Sequence, residues 1–262
     1  MTSEKLQHRA ERLAHGMFLG GPVATFEAIG RLQLITLLRC GLYPDSRVLD
    51  LGCGSLRGGY WLVHFLRPER YFGIEPNAAM LDVGKKKILG AELLAEKRPS
   101  FLTNDNFDPA EFGVEFDFFL ARSIWTHASR AQIRQMLDAF TLYGAGNAVF
   151  LTSFLPAEHG ETGNSDVGWV GRSHESDTRG VIRHELKWIE TECRERNFSL
   201  QELSVDRKRQ VWLLIAKGEG ATPAKSYLED LISAETTSNG LLRRLQKTVK
   251  RIFRHSSRRS SR

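Results

Sequence analysis

The sequence predicts an α/β domain built on a doubly wound sheet of seven strands, mostly parallel with one antiparallel strand. Three observations carry that prediction. From Arg47 onward, short apolar runs alternate with amphipathic helical patterns, and strands separated by helices pair in parallel beneath helices on both faces. The first of these strands ends in a glycine-rich turn, Gly52-Cys53-Gly54, at the carboxyl edge where open sheets hold ligands. The last two strands are joined only by Asp206 to Gln210, a link that suits a hairpin and is too short for a parallel crossover.

Each element has a local reason. Residues 2 to 15 are highly charged and read as a helix, ended by Gly20-Gly21-Pro22. A second helix is expected from Ala24 to Cys40, with Phe26, Ile29 and Leu32 at helical spacing, before Pro44-Asp45 breaks the pattern. Val48-Leu49-Asp50-Leu51 is the first strand, and its helix runs from Gly58 to Leu66. Tyr71 to Glu75 is the second strand, with a helix after Pro76. Phe101 to Thr103 and Phe116 to Ala121 are the third and fourth. Ser129 and Gln132 form a capping box, in which hydroxyl and amide satisfy otherwise unpaired backbone N–H groups. Ile133, Met136, Leu137 and Phe140 then make one apolar stripe, which Gly144 and Gly146 end. Ala148 to Thr152 is the fifth strand. A polar, glycine-rich loop fills 157 to 180. A helix follows with Ile182, Leu186, Ile189 and Cys193 on one face, and the strands Leu200 to Val205 and Val211 to Ile215 close the domain. The organisation is therefore an N-terminal helical extension, 1–23, a core domain, 24–218, and a C-terminal tail, 219–262.

Bulk composition narrows the function. The net charge of +6 conceals an asymmetry. Residues 241 to 262 hold nine Lys or Arg and no acid, so the body carries about −3 (+6 less nine). A mildly acidic body argues against a phosphate-gripping face, so nucleic acid is not an expected partner. The three cysteines, Cys40, Cys53 and Cys193, are far apart. They suggest neither a disulfide framework nor a zinc site, and a reducing cytoplasm suits them. The N-terminus has no apolar core of a secretory signal, and no stretch approaches the ~20 apolar residues of a membrane span.

The turn after the first strand, Asp50-Leu51-Gly52-Cys53-Gly54-Ser55-Leu56-Arg57-Gly58-Gly59, carries the chemistry. Glycine is needed where backbone must turn sharply against a ligand. A dinucleotide site would place a third glycine at 57 to seat a pyrophosphate on the helix N-terminus; Arg57 stands there, so that pattern fails. Glu75 ends the second strand, where a carboxylate can accept from both hydroxyls of a ribose. Asp105 follows the third strand, where an acid can accept from an adenine amino group, and Asp117 opens the fourth.

With those residues in order, the chain resembles the class I S-adenosylmethionine (SAM) dependent methyltransferases. The matching stretches are Val48 to Ser55, Gly73-Ile74-Glu75-Pro76, Asn104-Asp105-Asn106 and Phe116 to Phe119. The likeness covers roughly 24 to 217. It implies a sheet of order 3-2-1-4-5-7-6 with the seventh strand reversed, and SAM as cofactor. It also implies that Gly52 and Gly54 pack against the cofactor and that Asp50 helps hold its amino-acid end. Glu75 would take the ribose hydroxyls, Asp105 the adenine amino group and the backbone of Asn106 a ring nitrogen. Cys53 and Pro76, inside the first and second motifs, are counted with the cofactor site. One departure stands out: the family often has Gly-x-Gly-x-Gly, and Leu56 occupies the third glycine position here. Arg57 is a candidate to grip the methionine carboxylate with two bonds.

After the fourth strand, Arg122-Ser123-Ile124-Trp125-Thr126-His127 faces the expected pocket. Ser123 could touch cofactor or substrate. Trp125 could flank either, or belong to the core. His127 is the candidate general base, or else merely helps enter the next helix. The loop from Pro156 to Gly180, with His159, Trp169, His174 and Glu175, could be a lid or a binding loop, or a surface loop without chemistry; its residues lack metal-ligand spacing. Leu242, Leu245, Val249 and Ile252 give the tail a basic amphipathic helix, which could lie on an anionic membrane surface. The expected location is cytoplasmic; peripheral attachment to the inner membrane face or contact with a partner is one reading of that tail, and contact with nucleic acid or a solvated extension are the others. The expected acceptor is a small metabolite, sugar or lipid-linked intermediate, methylated on oxygen or nitrogen. The alternatives are a SAM-binding regulatory or scaffold protein without turnover, and an RNA or protein methyltransferase recruited through the tail.

Overall fold

The computed structural model describes residues 5–157, 180–205 and 210–217. The tail from 219 to 262, the loop residues His159, Trp169, His174 and Glu175, and the link at 206–209 lie outside the described residues. The chain divides into two units, residues 1–38 with 42–221, and residues 39–41 with 222–262. The sheet and its cavity belong to the first unit.

Seven strands form one sheet of order β3-β2-β1-β4-β5-β7-β6. They are β1 (Val48–Leu51), β2 (Tyr71–Ile74), β3 (Ser100–Leu102), β4 (Phe116–Ala121), β5 (Gly144–Phe154), β6 (Phe198–Val205) and β7 (Val211–Lys217). β7 pairs antiparallel with both β5 and β6, and the other pairings are parallel. The short link before Val211 therefore does what its length dictated. β1 lies between β2 and β4, buried along its whole length, as the continuous apolar run Val48 to Leu51 requires of a central parallel strand.

The helices are α1 (Leu6–Ala14), α2 (Phe26–Arg39), α3 (Gly59–Phe65), α4 (Ala78–Val83), α5 (Ala91–Lys97), α6 (Arg130–Tyr143) and α7 (Leu186–Glu195). The capping box of α6 is present. Ser129 Oγ accepts from the Gln132 amide at 3.2 Å, and Gln132 Oε1 accepts from the Ser129 amide at 2.9 Å. The predicted stripe, Ile133, Met136, Leu137 and Phe140, is buried. Phe119 of β4, Phe140 of α6 and Phe150 of β5 meet ring to ring, with centroids 5.1 to 5.8 Å apart. Such contacts add to area burial and hold the end of β4 against its helix.

Several boundaries differ from the sequence reading, each for a tertiary reason. The buried side of α2 is Phe26, Gly30, Gln33, Leu34 and Leu37, while Leu32 is exposed. Gly30 is the point of closest packing: a Cβ there would lie 2.2 Å from the carbonyl oxygen of Arg57. The single helix expected after Pro76 is α4, a π-helical turn at Gly84–Leu89, and α5. Gly84 lies so close to the Ser55 backbone that a Cβ would come within 2.7 Å. β5 starts at Gly144, directly at the end of α6. Ile182 is buried but precedes α7; its amide donates to the Thr126 carbonyl, and His184 bridges in parallel to Pro156. Its helical spacing from Leu186 was coincidental.

α1 is not isolated from the sheet domain. Leu6 and Ala10 join Leu19, Phe26 and Ile88 in one apolar cluster. Gln7 and Glu27 exchange backbone-to-side-chain bonds in both directions, and Arg9 donates to the Ile88 carbonyl at 3.0 Å.

Candidate functional site

Residues that follow β1, β2 and β4 line one cavity of about 150 Å³. From the turn after β1 come Gly52, Cys53, Gly54, Ser55 and Arg57, with Asp50 beneath them. Glu75 comes from the tip of β2, and Arg122, Ser123, Ile124 and His127 from beyond β4. Strand order explains the convergence, since β1 is flanked by β2 and β4, the switch point of this fold.

The turn is tight because its backbone is left-handed at Gly52 (φ +68) and Gly54 (φ +58). A Cβ at Gly52 would stand 2.2 Å from Ile124 Cδ1, whereas one at Gly54 would come no closer than 3.4 Å to Met80 and 4.0 Å to Glu75. Leu56 is also left-handed, at φ +61. The residue at the family's third glycine position thus keeps a glycine-like backbone. Its fully buried side chain lies against Gly59 and Gly84 and is not part of the cavity wall.

Glu75 is 1% exposed. Its Oε2 accepts from the Gly54 amide at 2.8 Å and its Oε1 from the Asn77 amide at 2.9 Å. Asn77 in turn caps α4, accepting from the Met80 amide. Asp50 is also buried and accepts from the Tyr71 hydroxyl at 2.7 Å. Burial pushes its carboxyl up to about 7, against the pull of the Tyr71 bond and with help from the Glu75 charge. Cys53 is raised well above the usual thiol range, first by burial and then by Asp50 and Glu75. It stays a thiol, packed in the wall, with no character of a nucleophile.

At the other end Ser123 is left-handed, φ +62. Its amide donates to Ser153 Oγ at 3.0 Å, and its hydroxyl donates to Gln210 Oε1 at 3.1 Å. The Arg122 guanidinium donates to Ser123, Ser153 and Gln210 and lies 5.1 Å from the centre of the Trp212 ring. The ends of β4, β5 and β7 are tied together there. His184 supports the same loop from behind. Its Nε2–H is shared between the carbonyls of Trp125 (3.0 Å) and Ala128 (3.1 Å). Burial lowers its pKa to about 4, so the ring is neutral at pH 7.

Asp50, Gly52, Cys53, Gly54, Arg57, Glu75, Ser123 and His127 are therefore brought to one cavity. Pro76, Asp105 and Asn106 are not in its wall. Asp105 and Asn106 are exposed in the loop after β3, where Asn106 accepts from the Asp108 amide. Of the two readings of Trp125 the core one holds: it is fully buried and packs edge-on against Phe150 at 5.8 Å. Sequence reasoning missed Leu19, Gly20, Gly21, Ile29, Gln33 and Met80, all in the cavity wall. Gly20-Gly21-Pro22 had signalled only the end of a helix.

Three solved structures of similar fold stand beside this geometry. The magnesium protoporphyrin IX methyltransferase ChlM of Synechocystis PCC 6803, solved with bound S-adenosylhomocysteine (SAH), aligns with a TM-score of 0.54 at 18% identity. The alignment covers 80% of this chain and 94% of that one. The DhpI–SAH complex aligns at 0.54 and 11% identity, covering 82% and 94%. An O-methyltransferase family protein of Burkholderia thailandensis aligns at 0.52 and 16%, covering 80% and 62%. The fold is that of the class I SAM-dependent methyltransferases. No family model matches the chain.

Proposed function

We propose that this chain is a SAM-dependent methyltransferase that moves a methyl group to an oxygen or nitrogen of a small metabolite, sugar or lipid-linked acceptor. The observation that carries the reading is Glu75: a buried carboxylate at the tip of β2, locked to the Gly54 amide of the turn after β1, in the wall of the same cavity. A carboxylate accepts from about four directions, so two backbone amides are compatible with a ribose diol on the cavity side. The bare backbone at Gly54 suits close approach of an adenosyl group, while the absent Cβ at Gly52 makes room for Ile124. Asp50 suits the cationic amino end of the methionine moiety, and in this reading Asp105 and Asn106, exposed in the loop after β3, would take the adenine. A neighbour named as a methyltransferase and solved with SAH, and a second solved as an SAH complex, support this cofactor, and the porphyrin named for the first supports a small-molecule acceptor.

SAM supplies a methyl group already activated on a sulfonium. The chain's task is then alignment, which can contribute much of the acceleration. Ser123 and His127 stand in the cavity wall at the end of β4, on the acceptor side in this reading. His127 would take the proton of an acceptor hydroxyl or amine. No helix among the described residues is long and apolar enough to cross a membrane.

Methyl-tritiated SAM incubated with fractionated metabolite extract tests the reading. Labelled product is expected with the wild type, with kcat reduced about a hundredfold or more in His127→Gln at unchanged SAH affinity. Absence of labelled product in every fraction, with SAH still bound, would favour a scaffold without turnover.

A further inference from the structure

We propose that Ser55 and Arg57 are positioning residues that make the N-terminal segment Leu19–Gly21 a wall of the cofactor cavity. The proposal rests on the reading of that cavity as the SAM site.

Three consecutive backbone carbonyls of the segment are each taken by a side chain of the turn after β1. Ser55 Oγ donates to Leu19 O at 2.8 Å, Arg57 Nη2 to Gly20 O at 2.9 Å, and Arg57 Nη1 to Gly21 O at 3.2 Å. The guanidinium also lies 4.8 Å from the centre of the Phe26 ring, just beyond the segment. Leu19, Gly20 and Gly21 all line the cavity. The segment is anchored on both sides: Leu19 and Phe26 share the apolar cluster with α1, and Gln7 Nε2 donates to the Val23 carbonyl at 2.9 Å.

The residue types fit this task. Gly20 is left-handed at φ +78, and a Cβ at Gly21 would meet nothing within 4 Å. The segment thus presents backbone to the turn, and its carbonyls are the groups a hydroxyl and a guanidinium recognise. Arg57 makes these bonds with neutral oxygens, and the neighbouring charge that bears on it, Arg122, is of like sign. Carbonyl dipoles and the Phe26 face are therefore what hold it. The Ser-Leu-Arg sequence thereby uses its two polar side chains to recruit a stretch 36 residues earlier in the chain.

The test separates this role from a direct grip on the cofactor's carboxylate. SAH and its decarboxylated analogue, which lacks only that carboxylate, are titrated calorimetrically into wild type, Ser55→Ala and Arg57→Gln, each checked for folding by circular dichroism. SAH dissociation rates are followed in parallel. Both variants are expected to bind SAH about tenfold more weakly, with faster dissociation, and to lose the same factor for the analogue. Arg57→Gln losing affinity for SAH but none for the analogue would overturn the proposal in favour of a carboxylate ligand. Unchanged affinity for both ligands in both variants would overturn it as well. If Arg57→Gln fails to fold, Ser55→Ala alone decides, since it removes one bond to the segment and no charge. Wild type binding neither ligand would instead overturn the cofactor reading beneath it.

Discussion

The Gly54 amide donates to Glu75 Oε2 at 2.8 Å, so the turn that ends β1 and the carboxylate that ends β2 are one bonded unit. Two neighbouring parallel strands deliver these groups side by side, and the bond fixes the height of the turn over the carboxylate. Asn77, bonded to the other oxygen, extends the unit into α4.

Glu75→Gln is expected to break that unit. The amide has one oxygen for two backbone N–H donors, and its NH2 must face the other. Charge-assisted bonds at a buried site are worth about 1.5–3 kcal/mol each, so a stability loss of about 2 kcal/mol is expected in a urea melt. SAH affinity should fall ten- to hundredfold or so by calorimetry. Unchanged affinity would remove Glu75 from the site.

Asp50 gives the cofactor site a pH dependence. Its folded pKa, pushed up to about 7, exceeds the ordinary 3.8, so the folded protein binds a proton more readily than the unfolded chain between those values. This group's contribution to stability therefore falls as pH rises from 4 to 7. A ligand ammonium beside Asp50 favours the carboxylate instead. SAH affinity is expected to rise as pH rises through 7, with proton release seen as a buffer-dependent heat of binding. Asp50→Asn should abolish both effects; a wild-type affinity flat from pH 6 to 8 would contradict the assignment.

His184 acts in the opposite sense. Its folded pKa is lowered from 6.5 to about 4, chiefly by burial. The unfolded chain binds the extra proton in that window, so stability is lost as pH falls from 6.5 towards 4. His184→Gln should flatten the acid limb of the stability profile, while costing about 1–3 kcal/mol at pH 7 if the shared bond to Trp125 and Ala128 is lost. A melt series from pH 4 to 7 reads both.

Leu56 sets two energies against each other. Leu56→Gly would relieve a left-handed backbone worth roughly 1–2 kcal/mol, but would remove a fully buried leucine, a loss of about 2–5 kcal/mol. A net destabilisation of about 2 kcal/mol is expected from thermal melts. SAH affinity should be unchanged, because the side chain points away from the cavity wall towards Gly59 and Gly84.

What the sequence revealed was local. The apolar run of β1, the glycines at 52 and 54, the acid at 75 and the Ser129–Gln132 box are each written within a few residues, and strand alternation plus one short link dictated the sheet. What it hid depends on distant packing. Nothing near Gly20 announces that Ser55 and Arg57 will bind its neighbourhood, and nothing near Ser153 announces Gln210. Trp125 sits at a strand end, where either face is open to an aromatic, and only the Phe150 contact decides for the core. Ile182 matched a helical period that the pairing of His184 with Pro156 overrode.

The most direct test of the cofactor site is calorimetric titration of SAH into the wild-type protein. Saturable one-to-one binding is expected, weakened in Glu75→Gln. Absence of any binding heat at millimolar SAH, with the protein folded, would contradict it.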